Sequence, residues 1–170
     1  MIIMRMPLDS ELLKELGSET DRGAAIVGAT IVEYSIGRAL LAHMRTLSNG
    51  MRERLFDGRG PLATFAARID VAFAFQIIGP KTREDLNRVR DVRNAFAHKP
   101  TAGLSFDAEE ISKHCRPMCL IDRYGFIVVP GTKPGKELSQ RDRFLGTVSL
   151  LASQLDGETV QKGMSSVLKE

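Results

Sequence analysis

One stretch concentrates the side chains best suited to chemistry: Arg88-Val89-Arg90-Asp91-Val92-Arg93-Asn94-Ala95-Phe96-Ala97-His98. Leu86, Val89, Val92 and Phe96 fall at helical spacing, and Arg93 lies on or beside that apolar stripe. A guanidinium there requires a hydrogen-bonding partner, a carboxylate or a carbonyl. Asn94 and His98 stand four residues apart, about 40° round a helix, and so share a face. An arginine, an amide and a histidine converging at a helix end can bind a phosphodiester. The arginine would steady its charge and the imidazole would exchange a proton near neutral pH. The same residues also fit a structural network, with Asn94 and His98 on loose helix-end carbonyls and Arg93 paired to an acid on an earlier helix. Glu33 is the candidate acid. Arg68, one charge amid apolar neighbours, also needs a partner, from Asp70, Asp91 or Glu33.

The elements that must hold these groups are helical. A short helix over residues 8–17 is capped by Asp9 or Ser10, carries Leu12, Leu13 and Leu16 on one face, and stops near Gly17. Ser18-Glu19-Thr20-Asp21 starts a long second helix reaching about Leu47. Ile26, Val27, Thr30, Tyr34, Leu40, Leu41 and Met44 recur along it at helical spacing, and Gly23, Gly28 and Gly37 mark close approaches. A short helix at Met51–Phe56 precedes the loop Asp57-Gly58-Arg59-Gly60-Pro61. Leu62–Ile78 is apolar nearly all round, as a buried helix is, with Phe65, Phe73 and Phe75 at core-like positions. Gly79-Pro80 breaks it, Thr82 caps the charged helix Arg83–His98, and Pro100 ends that helix through Lys99. Phe106–Arg116 forms a further helix, and the stretch 119–130 is expected to be a small irregular or β element, of open role together with its flanks in 117–136. Leu138–Leu155 is amphipathic, and the tail 156–170 is polar. The expectation is an all-α, single-domain bundle of five to seven helices over residues 1–170.

With 43% apolar and 26% charged residues, the 170-residue chain has the balance of a globule and excludes wholesale disorder. Its net charge is +3, and the segment 81–99 alone carries an equal excess. No uninterrupted apolar run approaches the length of a membrane span, and the first residues do not resemble a secretory signal, so a cytoplasmic protein with no membrane partner is expected. His114, Cys115 and Cys119 form an incomplete ligand set, which points to thiols rather than a metal; no cofactor is expected. Trp is absent and aromatic residues make up 6%, which disfavours a base-stacking surface.

Several pieces occur in the order found in the MltR (mannitol operon repressor) family. They are Asp21-Arg22-Gly23, the run Gly60-Pro61-Leu62-Ala63-Thr64-Phe65-Ala66-Ala67-Arg68-Ile69, the run from Arg90 to His98, Leu104-Ser105-Phe106, and Arg141-Asp142-Arg143-Phe144. The chain resembles that family over about residues 21–155. The resemblance implies an all-α bacterial cytoplasmic regulator or co-repressor that acts through a protein partner and has no DNA-binding motif of its own. A homodimer is compatible with it. Arg93-Asn94-x-x-x-His98 is also similar to the signature of HEPN domains, helical bundles that include metal-independent ribonucleases. That similarity implies Arg93 on the RNA phosphate, His98 as general acid or base, and Asn94 orienting it. A third possibility is direct DNA binding, with Arg83 and Arg88 on the second helix of a helix-turn-helix; the short turn at Gly79-Pro80 fits an antiparallel helix pair better.

Overall fold

A computed structural model describes residues 10–99, 103–124 and 137–167. They form eight helices: α1 (Ser10–Ser18), α2 (Asp21–His43), α3 (Asn49–Phe56), α4 (Phe65–Ala74), α5 (Pro80–His98), α6 (Glu109–Cys115), α7 (Leu120–Tyr124) and α8 (Gln140–Val167). The protein is thus an all-α bundle with slightly more helices than expected. The expected irregular or β element is helical over Leu120–Tyr124; its remainder falls outside the described residues. The additional helix is that stretch; the first hundred residues hold five helices, as expected.

α2 is the hub, packed on α8, α5, α4 and α1. Thr20 caps it, its hydroxyl accepting from the Gly23 N–H at 3.1 Å. The buried face consists largely of small residues, Ala24, Ala25, Gly28, Ala29 and Ala39, with Val32, Ile36 and Leu40. A Cβ at Gly28 would lie 3.2 Å from Phe144 and 3.4 Å from Val148, so α8 sits almost on the α2 backbone. The larger Ile26, Val27 and Tyr34 point outward instead. Their spacing marks the helix but not its buried side. α2 ends at His43 rather than Leu47, where Met44 turns to extended backbone. A window of α2 reaches a mean hydropathy of 1.4, enough by length and composition for a membrane span, yet 56% of it is buried inside the bundle.

α4 is shorter than the apolar run that contains it. Thr64 caps its start, and it ends at Ala74 in a Schellman motif. The Gln76 N–H bonds Phe73 O at 3.0 Å and the Ile77 N–H bonds Ala72 O at 2.9 Å. Gln76 takes the left-handed position at φ 57°. The chain therefore leaves its helical phase, and Phe75 is 71% exposed rather than in the core. Because an L-residue is disfavoured at that φ, Gln76→Gly is expected to stabilise the fold by about 1 kcal/mol, measured by urea denaturation; a loss of stability would contradict the motif.

α5 begins two residues before its expected cap. Gly79 is the N-cap and Pro80 occupies the first turn. Thr82 is buried inside the helix and donates to Gln154 Oε1 of α8 at 3.3 Å. α6 starts at Glu109 rather than Phe106, leaving Phe106 free to enter the core. There its ring lies 5.2 Å from Phe96 and 5.2 Å from Phe144, joining α5 to α8. Ser139 and Asp142 exchange capping bonds at the start of α8. The helix runs on past Leu155 through Val167, so the tail continues it.

Candidate functional site

Three helices meet at Glu33, midway along α2. One of its carboxylate oxygens lies 3.6 Å from Arg93 of α5, and the other lies 3.9 Å from Arg68 of α4. Arg68 also donates from Nε to Leu62 O at 2.8 Å, from one terminal nitrogen to Phe56 O at 3.3 Å, and from the other to Glu33 O at 3.3 Å. Its guanidinium is over the Phe56 ring, 5.5 Å from the centroid. A Cβ at Gly37 would touch it at 3.5 Å, so the bare glycine leaves the space it fills. Of the three acids weighed for Arg68, Asp70 pairs with Arg83 and Asp91 with Arg90, leaving Glu33.

Arg93 donates to Asn94 Oδ1 at 3.0 Å, and its side chain remains 37% exposed. His98 is exposed at the last residue of α5 and has no hydrogen bond among the described residues. The helix-end carbonyls expected for it are taken by Arg22, which donates to Phe96 O and, at 2.7 Å, to Lys99 O. Asn94 and His98 therefore lie along one open edge of α5, while Arg93, about 140° round the helix from His98, is already held by an acid and an amide. An incoming anion would compete with both for the guanidinium.

The remaining arginines of α5 are also engaged. Arg83 pairs with Asp70 at 2.8 Å and stacks 4.6 Å from the Phe73 centroid. Arg88 pairs with Asp85 at 3.0 Å and Arg90 with Asp91 at 3.0 Å. The positive excess of this segment is thus largely neutralised within the protein.

The other residues of the resembling motifs form the scaffold around this edge. Asp21 accepts from the Phe106 N–H at 2.9 Å and pairs with Arg141, which donates in turn to the carbonyls of Leu16, Gly17 and Glu19 at the end of α1. Gly23 receives the Thr20 cap. Gly60 and Pro61 shape the turn before α4, while Phe65, Ile69 and Phe96 are core residues.

Sequence reasoning missed Asp85. This carboxylate is fully buried, bonded to Arg88 and, at the start of α7, to the Cys119 N–H at 3.1 Å and the Leu120 N–H at 2.8 Å. The sequence contains only the Arg88 spacing; nothing local signals a cap for a helix 35 residues on. Burial and then the Asp85 carboxylate raise the Cys119 thiol, and burial pushes Cys115 up to about 12. Burial lowers His114. Because the folded Cys115 value is raised from 9.0, its contribution to stability is complete below pH 9 and is lost as pH rises towards 12. Thiol titration at pH 8 should proceed at least about tenfold more slowly in the folded chain than in urea. Equal rates would contradict the buried thiol.

No family model matches the sequence, and no curated protein matches it. Among solved structures, a chain of the MtlR–HPr complex from Escherichia coli superposes with a TM-score of 0.61 at 17% identity, covering 85% of this chain and 96% of that one. This chain has an MltR-like fold. At that identity the likeness concerns the fold alone, and the expected all-helical bundle agrees with it.

Proposed function

We propose that this MltR-like protein is a cytoplasmic regulator or co-repressor that works by contact with a protein partner. The observation that supports this reading most directly is the shared bundle with a protein whose solved structure is a complex with HPr. The internal pairing of the α5 arginines agrees with it, since it leaves little free charge on that helix for nucleic acid. HPr from the same organism is the first partner to test, by titration calorimetry. Saturable binding is expected; no heat at the highest soluble concentration would overturn HPr as the partner. Sedimentation of the free chain tests the accompanying expectation of a homodimer.

A metal-independent ribonuclease is the second reading, favoured by the exposed His98 one turn beyond Asn94 and by the half-open Arg93 on the same helix. RNA incubated with the protein in EDTA should then be cleaved, and His98→Ala should abolish cleavage. Equal, negligible cleavage by both would eliminate this reading. Direct DNA binding would require Arg83 and Arg88 to leave Asp70 and Asp85, and predicts a salt-dependent duplex shift that Arg83→Ala weakens.

A further inference from the structure

A run of exposed arginines without carboxylate partners among the described residues lies on α3 and its flanks. Segment 44–60 contains Arg45, Arg52, Arg54 and Arg59 and no lysine, against Glu53 and Asp57. All four arginines are exposed, and none is paired with a carboxylate among the described residues. Every residue of α3 from Asn49 to Arg54 is exposed, including Met51, and only Phe56 at its far end is buried. The helix stands out from the bundle as a knob. Arg52 and Arg54 are about 200° apart round it, so basic groups lie on opposite sides.

The knob is fixed in place. Arg68 holds Phe56 O and lies over the Phe56 ring, the Leu62 N–H bonds Leu55 O at 2.8 Å, and the Gly60 N–H bonds Asp57 O at 2.9 Å. A charged element that is already ordered binds without the entropy cost of ordering.

We infer that α3 is a docking element for the acidic, concave surface of a partner protein. Charge complementarity determines the sign of that surface, and exposure on all sides of the helix determines its shape. The residue types favour protein over nucleic acid. Arginine and methionine are enriched and lysine depleted at protein interfaces, arginine pairs bidentately with carboxylates, and the only aromatic ring of the segment is buried, leaving nothing on which a base could stack. This inference rests on the proposal that the chain acts through a protein partner and assigns the surface it uses.

The test is an amide NMR titration of the full chain with a peptide of alternating Glu and Leu, run beside a DNA duplex and a single-stranded RNA. Peptide-induced shifts confined to residues 44–60 are expected, with affinity falling at least about tenfold from low to physiological salt. Arg52→Glu with Arg54→Glu should weaken binding at least about fivefold, whereas the two Lys replacements should retain most of it; an unchanged melting temperature excludes misfolding. Shifts elsewhere, no shifts, or tighter binding of either nucleic acid through the same amides would overturn the inference. HPr binding with a silent α3 would reject the docking element alone, while peptide binding at α3 without HPr binding would reject only HPr as the partner.

Discussion

Asp85→Ala is expected to destabilise the protein by about 2–5 kcal/mol, because it removes the closer of the two carboxylates on Arg88 and leaves the buried amide donors of Cys119 and Leu120 at the start of α7 unsatisfied. The carboxylate is fully buried, so water replaces none of its bonds without a local opening. Loss of the cap should release α7 first. Amide exchange at Leu120 should therefore rise more than exchange at Val89 on the opposite side of the contact. Asp85→Asn retains an acceptor but not the charge, and should lose about half as much. A loss under about 1 kcal/mol for the alanine variant, measured by urea denaturation, would mean that Asp85 does not hold α7.

Gly60→Ala is the second large effect, at about 2–3 kcal/mol. A Cβ there would be 2.5 Å from the carbonyl oxygens of both Arg54 and Leu55, and these are backbone atoms that do not rotate away. Relief requires the 57–62 turn to move, which displaces Leu62 O and Phe56 O, the acceptors of Arg68. The damage should reach the Glu33 cluster as well as α3. Gly50→Ala is the control: nothing lies within 4 Å, and an exposed helical alanine should stabilise by about 0.5–1 kcal/mol. Thermal melts of the two variants should move in opposite directions. A neutral Gly60→Ala would contradict the close turn.

These effects also separate what the sequence made legible from what it did not. Local rules placed the start of α2 within Ser18-Glu19-Thr20-Asp21, the break at Gly79-Pro80 and the end of α5 before Pro100, because each depends on neighbouring residues only. They failed at Phe75, since the left-handed turn that exposes it uses Gln76 where a glycine would have announced it. They were silent on which side of α2 is buried. There alanines and glycines pack against α8, while larger apolar residues face out, so residue size gave no guide to burial. At the candidate site, a buried arginine demanded an acid, and Glu33 was within reach of the argument. That one carboxylate joins two arginines depends on how α4 and α5 both cross α2, which is a property of packing. Asp85 was out of reach for the same reason.

The contact of Gly28 with Phe144 has a consequence for how the protein is made. These residues are 116 positions apart, and ribosomes add about 5–20 residues per second, so α2 waits roughly 6–23 s for the helix that covers it. During that interval a helix with the length and hydropathy of a membrane segment is in solution without its main partner. Folding of this bundle is therefore completed only when α8 arrives. A chain stalled before residue 140 should be a strong client of chaperones that bind extended apolar sequence.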